Sequence, residues 1–269
     1  MTHPGFRETR SPQTEPDLSL DRRLELFSFL MRPPQAETSW AVSDHSQCEA
    51  LSGSVRGKLC QQLAQLPPRH LQAGQHLYRT GHQAGSLFLV QSGLVKTITI
   101  SPAGEELTLR LSKPGDLLGE LCLCGGGRRE AAIALEPSTV TEISAASLLA
   151  RLRDDPDAAL ELASAVCERL ADAQEQIESL SWDTVLYRLV RTLLRLANEL
   201  GEPSESGTRL AHYISQEELA RLVGARREVV SGLLNRLRAS GHISYSPRGA
   251  ITVRRNSLQR FLEAGSHPV

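Results

Sequence analysis

Residues 214–253 constrain the fold more than any other part of the chain. Ser215 and Glu218 have the spacing of a helix capping box, in which each side chain accepts a hydrogen bond from the other residue's backbone N–H. Gly224 then provides a tight turn before a second helix. The apolar residues of that helix recur at spacings of three and four: Val229, Val230, Leu233, Leu234 and Leu237. A β-hairpin follows, and this order predicts a helix-turn-helix, whose second helix can lie in the major groove of DNA.

The charge of the chain is divided unevenly, and the division supports DNA as a partner. Over the whole sequence, 30 basic and 31 acidic residues leave a net charge of −1. From residue 181 onward there are thirteen Arg, no Lys and eight acidic residues, a net charge of +5, whereas the rest of the chain (17 basic, 23 acidic) carries −6. A basic C-terminal part suits the phosphates of nucleic acid, and the acidic remainder suits a sensor or partner module.

The region before this motif has a different pattern. Residues 70–143 alternate short apolar runs with glycine-rich turns, which is typical of a small antiparallel sandwich or barrel. One strand is predicted over 116–123, and it would place Cys122 and Cys124 on the same face. Residues 201–208 are expected to form a loop that leads into the helix-turn-helix.

A long helix is predicted from Pro156, with Asp154 or Asp155 as its N-cap. Its apolar residues repeat as in a coiled-coil heptad: Val166, Leu170, Ala173, Ile177 and Leu180. A seam this regular usually pairs with its own copy, so we predict a parallel homodimer with these five residues in its interface. The alternative is a helix that only packs on the β domain.

The cysteines and histidines point to no metal centre. No C-x2-C pair exists, so neither a zinc site nor an iron–sulfur cluster is expected, and reduced thiols are the default: Cys48, Cys60, Cys122, Cys124 and Cys167. Three histidines could be cited as haem ligands, but isolated histidines on strands are more often solvated: His70, His76 and His82. No metal ligand is therefore predicted, and haem is disfavoured.

The chain contains no apolar run of about 18 residues, so no membrane-spanning segment is expected. Its polar N-terminus has no signal-peptide core. We therefore expect a soluble, cytoplasmic protein that has no membrane partner.

The order of these elements, over about residues 55–255, resembles the Crp/Fnr family of bacterial transcription regulators. PGDLLGELCL at 114–123 matches the family's P-G-D-x-x-G-E-x-x-L turn, and VGARREVVSGLLNRLRASGHIS at 223–244 matches its recognition element. The resemblance implies an α+β fold with an antiparallel β-roll sensor domain, a long dimerisation helix and a winged helix-turn-helix domain. Its implied partners are a palindromic operator in double-stranded DNA, a second copy of the chain and RNA polymerase.

The resemblance also divides the chain into four parts. Residues 1–54 are expected to form a flexible N-terminal extension, and 55–153 a cyclic nucleotide-binding-like β-roll. Residues 154–185 correspond to the dimerisation helix, and 186–269 to the winged helix-turn-helix DNA-binding domain.

In this family a short polar run on the recognition helix enters the major groove. The matching positions are Arg227, Glu228, Ser231 and Gly232. Arg can donate two hydrogen bonds to guanine and Glu can accept one from cytosine, so Arg227 and Glu228 are the expected base readers, with Ser231 assisting. Many relatives have Arg in place of Gly232, so the operator should differ from theirs. Other polar residues are better placed for phosphate: Ser215, Gln216, Arg226 and Arg248.

The resemblance leaves the effector open. Family members that bind a cyclic nucleotide hold its ribose with a Gly-Glu pair, matched here by Gly119 and Glu120, with Leu121 next to them. Arg128 or Arg129 falls near the family's phosphate-binding Arg. The following Ser is replaced by Glu130, which would repel a phosphate. The dimer-helix positions that contact the base are Ala173 and Gln174. A cyclic nucleotide thus stays one possible effector, and its identity is unknown.

The sequence is less consistent with two other classes of function. An enzyme is disfavoured because Gly125-Gly126-Gly127 lacks the G-K-[ST] ending of a phosphate loop, and no hydrolase or metalloprotease motif is present. The remaining alternative is a cyclic-nucleotide-binding signalling module without sequence-specific DNA binding. The intact capping box and the Arg227-Glu228 pair favour a DNA-binding regulator.

Overall fold

The computed structural model describes residues 59–245 and 249–265. These residues lie within one compact unit of the chain. The predicted N-terminal extension, 1–54, lies outside the described residues, as does Arg248. A helical stretch over 59–64 leads into the first strand.

Eight antiparallel strands form the β-roll that the sequence predicts. Two four-stranded sheets, in the orders β1-β8-β3-β6 and β2-β7-β4-β5, pack face to face. Leu77, Phe88 and Val140 are among the buried residues between them, and the Tyr78 and Phe88 rings stack with centroids 5.8 Å apart. The strands are β1 (Pro68–Leu71), β2 (His76–Tyr78), β3 (Ser86–Ser92), β4 (Val95–Ile100), β5 (Glu106–Ser112), β6 (Leu117–Leu118), β7 (Ala131–Ala134) and β8 (Ser138–Ser144).

The strand predicted over 116–123 is wrong beyond Leu118. Gly119 has a φ of +78°, a left-handed conformation that ends β6, and Glu120–Cys124 then form a 3-10 helix. Cys122 is consequently buried while Cys124 is exposed, so the two thiols do not share a strand face.

Three helices connect the β-roll to the C-terminal part: α1 (Ala145–Asp154), α2 (Pro156–Trp182) and α3 (Val185–Glu199). Pro156 occupies the first turn of α2, and the Asp155 side chain accepts a hydrogen bond from the backbone N–H of Ala158, so Asp155 is the N-cap. The helix ends at Trp182, and Thr184 caps α3. The long helix is therefore confirmed as a separate element before α3.

The C-terminal part contains the helix-turn-helix and a small sheet. The helices are α4 (Gln216–Val223), α5 (Arg227–Ala239) and α6 (Arg255–Gly265), and the strands are β9 (Gly201–Ser204), β10 (Gly207–Leu210), β11 (Ile243–Ser244) and β12 (Thr252–Val253). The sheet order is β11-β12-β10-β9. The loop expected over 201–208 is therefore wrong: β9 and β10 form a hairpin, because the backbone of β10 finds partners in both β9 and β12.

Helix α3 is the centre of the C-terminal core. Its buried residues Leu189, Leu193 and Leu196 belong to one cluster with Leu219 of α4 and Val230 of α5. All five are 0–1% exposed, so the two helices of the motif are fixed to α3 on their apolar faces. This packing leaves the opposite face of α5 open to solvent.

Candidate nucleic-acid interface and sensor pocket

The helix-turn-helix is built from the local signals that the sequence carries. The Ser215 hydroxyl accepts a hydrogen bond from the backbone N–H of Glu218 at 3.1 Å, which caps α4. Gly224 has a φ of +60° and ends α4 in the left-handed conformation. Helix α5 then begins at Arg227, after the two turn residues Ala225 and Arg226.

The other half of the predicted capping box is wrong. The Glu218 carboxylate does not bond back to the first turn of its own helix. It is buried, and it accepts hydrogen bonds from Lys96 Nζ at 2.7 Å and Thr108 Oγ1 at 2.5 Å. Both donors belong to the β-roll and lie 122 and 110 residues away in the sequence. The local bond to the first turn of α4 is therefore replaced by an ion pair with Lys96 and a hydrogen bond from Thr108.

The predicted base readers lie on an exposed surface. Arg226, Arg227 and Glu228 are all exposed in the first turn of α5, and Ser231 is half-buried one turn later. Around Gly232 there is open space, because a Cβ built there would have no atom within 4 Å. The first two turns of α5 thus present charged groups and a gap on a surface that is open among the described residues.

A concavity of about 420 Å³ lies beside this surface, between α4 and the residues that follow α5. It is lined by Ser215 and Gln216 at the start of α4, by Arg227, and by Tyr245 and Gly249 of the segment between β11 and β12. The structure therefore brings three of the predicted DNA contacts to one groove. Arg226 and Glu228 are exposed nearby in sequence but do not line it.

Tyr245 is a residue that the sequence analysis missed. Its hydroxyl donates a hydrogen bond to Asn235 Oδ1 at 3.1 Å, and Arg238 Cζ lies 4.9 Å from the centre of its ring, a cation–π contact. These contacts fix the segment after β11 to the exposed side of α5. No local sequence pattern signals them, because the partners lie seven and ten residues away.

The position of Val229 differs from the prediction. The helical spacing places Val229 with the core residues, but 46% of its surface is exposed, while Val230 is fully buried. The buried side of α5, which packs against α3, α4 and β11, is narrower than predicted. Val229 therefore lies on the flank of the exposed face.

The predicted effector residues do not converge on one cavity. A pocket of about 220 Å³ lies between the β-roll, α2 and α3, and among the residues that the resemblance links to a ligand it is lined by Glu120, Glu130 and Ala173. Leu121 and Arg129 are exposed, and Gly119 contributes its backbone to the turn. Of these positions, Glu120 lines the pocket, and the assignment of all five to an effector stays a prediction.

Arg128 is buried, and its guanidinium is engaged by the protein. Nη1 donates to the Gly119 carbonyl at 3.0 Å and Nη2 donates to the Ser86 carbonyl at 2.6 Å. Cζ lies 4.2 Å from the centre of the Tyr78 ring and 5.5 Å from that of Phe88. Arg128 therefore acts as an internal brace between β2, β3 and the turn after β6.

Glu120 is engaged as well. Arg169 of α2 forms an ion pair with its Oε1, and Oε2 is buried without a hydrogen-bond partner among the described residues. Burial, with Arg110 nearby, lowers the pKa of Arg169 to about 10. The pocket thus contains an ion pair that joins the β-roll to α2.

Glu130 is one of four acidic residues that line the pocket, with Glu120, Asp172 and Glu199. It accepts a hydrogen bond from the Tyr78 hydroxyl at 2.9 Å. Burial raises the pKa of Glu130 above its usual range, and burial also raises the pKa of Tyr78. The residues at the positions that hold the cyclic phosphate in relatives therefore do not fit that group: Arg128 is occupied, and Glu130 is an acid.

The predicted dimer seam is exposed along α2. Ile177 and Leu170 are 64% and 59% exposed, and Val166, Ala173 and Leu180 are exposed beside them. Other residues of α2 face the β-roll, as Leu162 and Arg169 show. The helix thus packs on its own β domain with one side and leaves an apolar stripe on the other.

Among the described residues, no group of three or more His, Cys, Asp or Glu side chains could hold a metal ion. Within 59–245 and 249–265, no helix is long and apolar enough to cross a bilayer.

Comparison with known proteins matches both parts of the chain. Residues 68–155 match the family model of the cyclic nucleotide-binding domain, and 187–261 match the Crp-like helix-turn-helix domain. The chain is 32% identical over 193 residues to the cyclic AMP receptor protein of Thermus thermophilus, covering 71% of this chain and 86% of that protein. It is 31% identical to the CRP-like cAMP-activated global transcriptional regulator of Mycobacterium tuberculosis, over 63% of this chain and 76% of that protein. Among solved structures, the c-di-GMP responsive global regulator CLP of Xanthomonas campestris matches with a TM-score of 0.62 and 29% identity, over 74% of this chain and 98% of that chain.

Proposed function

Because the chain belongs to the Crp/Fnr family of transcription regulators, we propose that it acts as a homodimer on a palindromic operator. The family consists of DNA-binding regulators rather than enzymes, so the enzyme alternative is set aside. The observation that carries the proposal is the exposed first turn of α5, where Arg227 and Glu228 follow a capped α4 and a tight turn. The same order of elements is expected for a major-groove reader.

Each predicted contact has a chemical role on the operator. Arg227 reads a guanine through its O6 and N7, and Glu228 accepts a hydrogen bond from a cytosine amino group. Ser231 lies one turn further along the same helix and assists at a base edge or phosphate. Ser215 and Gln216 at the start of α4 contact phosphate, together with Arg226. Arg248 belongs to the same set by sequence and lies outside the described residues.

Binding of fluorescently labelled operator DNA, followed by anisotropy, tests this assignment. The operator is a palindrome selected in vitro by the purified protein. We expect Arg227→Ala to weaken binding about five- to hundredfold for each half-site, because a bidentate Arg–guanine contact is worth about 1–3 kcal/mol. Arg260→Ala is the matched control, since it removes the same charge from an exposed position on α6 and should have a much smaller effect.

One result would favour the alternative, a signalling module without sequence-specific DNA binding. That result is micromolar or weaker binding that is equal for scrambled DNA and unaffected by Arg227→Ala.

The homodimer is supported by the exposed stripe on α2. Five apolar residues at heptad spacing would be unfavourable in water, and a parallel copy would bury them. A dimer also suits an operator with two half-sites about 34–36 Å apart. Ile177→Glu places a charge in the middle of the seam, and light scattering after gel filtration should show a monomer. Glu178→Ala, the neighbouring exposed position, should leave the dimer intact.

We further propose that DNA binding does not depend on cyclic AMP. The names of the two cAMP-related relatives point to a cyclic nucleotide, but the Arg128 guanidinium is engaged by backbone carbonyls, and the acidic Glu130 lines the pocket. We expect millimolar cyclic AMP to change operator affinity by less than about twofold, because repulsion by a nearby acid opposes a bound phosphate. A large gain in affinity would contradict this part of the proposal.

The family assignment also favours RNA polymerase as a partner and the cytoplasm as location, because a transcription regulator acts where promoters and polymerase are. Transcription in vitro from a promoter that carries the selected operator tests the first point. An operator-dependent change in transcript yield is expected, and no change would contradict it.

A further inference from the structure

The β-roll and the helix-turn-helix are joined by a buried group of charges, which we call the Glu218 cluster. It consists of Lys96, Glu106, Thr108, Glu218 and Arg221. Lys96 Nζ lies 2.7 Å from Glu218 Oε2 and 2.5 Å from Glu106 Oε1, and Thr108 Oγ1 donates to Glu218 Oε1 at 2.5 Å. Both oxygens of Glu218, a residue of the DNA-binding helix pair, thus bind donors of β4 and β5.

The Lys96–Glu218 pair at the centre of the cluster is buried, whereas the side chains of Glu106 and Arg221 are 22% and 33% exposed. The side chains of Lys96 and Glu218 are both only 5% exposed. Arg221 Nη1 lies 3.5 Å from Glu106 Oε1 and 3.7 Å from Glu218 Oε2, so two cations face two acids. Charges buried this deeply require partners in a defined geometry, and such pairs are better known for fixing an arrangement than for adding stability.

Two other polar contacts join the same parts of the chain, but both are more open. His212 Nδ1 lies 2.8 Å from Glu136 Oε1, with both side chains at least one-fifth exposed, and Lys113 Nζ donates to the Glu199 carbonyl at 3.1 Å. The Glu218 cluster is therefore the buried polar connection among those described between the β-roll and α4.

Strands β4 and β5, which bind Glu218, also line the pocket of about 220 Å³ that contains Glu120. Thr97 and Arg110 line the pocket and are paired with each other, whereas Ile98 is paired with Thr108. Leu109 lies between these two pairs without a partner on β4 and forms a β-bulge. The bulge reverses the alternation of side chains along β5, so Thr108 and Arg110 lie on opposite faces of the sheet. The β4–β5 pair thus contributes residues both to this pocket and to the Glu218 cluster.

We propose that Lys96 and Thr108 are positioning residues that fix the orientation of the helix-turn-helix on the β-roll through Glu218. Because α2 also packs on the β-roll, this contact sets the angle between the recognition helix and the dimer axis. It therefore determines which spacing between operator half-sites the dimer accepts. The inference rests on the proposed palindromic binding by a homodimer.

The test measures spacing selectivity rather than affinity alone. Anisotropy titrations use the operator selected by the wild-type protein and variants whose spacer is longer or shorter by one or two base pairs. One added base pair rotates the second half-site by about 36°, so the wild type should lose affinity steeply. Lys96→Met removes the charge and the directional bond from a chain of similar length. The Lys96→Met protein should bind the optimal operator less tightly than the wild type does. Its spacing penalty, which is the loss of affinity when the spacer changes length, should be at least about threefold smaller than that of the wild type.

The controls separate positioning from folding and from base reading. Arg69→Met removes a positive charge from an exposed position on β1 and should keep the wild-type spacing profile. The penalty for a single base change in one half-site should be the same for Lys96→Met as for the wild type. If Lys96→Met does not fold, Thr108→Val removes one bond to Glu218 and leaves the ion pair, so a smaller flattening of the same profile is expected.

A Lys96→Met or Thr108→Val protein that folds and retains the full wild-type spacing penalty overturns this inference and leaves the proposed function intact. A wild type that binds its selected operator equally well at every spacing also overturns it. Failure of the wild type to bind any selected palindrome overturns the proposed function and this inference together.

Discussion

Replacing Arg128 with Met should destabilise the sensor domain, because the Arg128 guanidinium binds backbone carbonyls of the domain and is not free to bind a ligand. Two hydrogen bonds to carbonyls would be lost, at Gly119 and Ser86, and hydrogen bonds from a charged donor are worth about 1.5–3 kcal/mol each. The cation–π contact with Tyr78 adds about 0.5–2 kcal/mol. Two effects reduce this loss of stability. The Gly119 carbonyl keeps a hydrogen bond from the Cys122 backbone N–H, and the variant no longer pays the desolvation cost of a buried guanidinium. We expect a net loss of about 2–3 kcal/mol in the free energy of unfolding.

The measurement is urea unfolding followed by circular dichroism, at one fixed protein concentration because a dimer's stability depends on it. Arg129→Met is the matched control, since Arg129 is the exposed neighbour with the same side chain. It should change stability by less than about 0.5 kcal/mol. If Arg128→Met and Arg129→Met are equally stable, the guanidinium of Arg128 is not structural, and the argument that it is unavailable to a ligand fails.

Three further predictions follow from burial. Val230→Ala should cost about 2 kcal/mol because the side chain is fully buried, whereas Val229→Ala should cost less than about 0.5 kcal/mol, and equal losses in urea unfolding would contradict the exposure of Val229. Burial raises the pKa of Glu130, so the folded state favours the protonated carboxyl, and this contribution to stability is lost as pH rises from the ordinary Glu value of about 4.3 through the raised one. Glu130→Gln should therefore reduce the fall in melting temperature between pH 4 and pH 8, and an unchanged or steeper fall would contradict the direction of the shift. Burial also raises the pKa of the Cys122 thiol to about 11, so iodoacetamide at pH 8 should modify the exposed Cys124 well before Cys122 in peptide mass spectra, and similar rates would place Cys122 at the surface.

The features that the sequence predicts correctly are those with short-range causes. Ser215 caps α4 because its partner is three residues away, and Gly224 ends α4 because a left-handed residue is needed there. Asp155 and Pro156 likewise mark the start of α2. In each case the residue types and their spacing contain the whole physical reason, so the two helices and the turn could be placed without the structure.

The features that the sequence misses depend on partners far along the chain. Glu218 has the spacing of a capping box, yet its carboxylate pairs with Lys96, 122 residues away, because a buried cation outcompetes a solvated backbone N–H. Arg128 carries the position of a phosphate ligand, but its burial beside Tyr78 depends on how two sheets meet. The assignment of the remaining site residues to DNA and to the dimer interface stays a prediction until the binding experiments are done.

The open space around Gly232 affects which DNA sequences a variant of this regulator can recognise. A glycine in the middle of an exposed helix costs about 1 kcal/mol relative to alanine, and no neighbouring atom requires the missing side chain. Gly232→Arg should therefore fit without a steric clash and stabilise the helix. It should also add a guanidinium that can donate two hydrogen bonds from the exposed face of α5. One substitution should then change which bases the exposed face of α5 can contact, while the stripe on α2, the pocket and the Glu218 cluster stay unchanged. A regulator built this way can acquire a new regulon without first being destabilised.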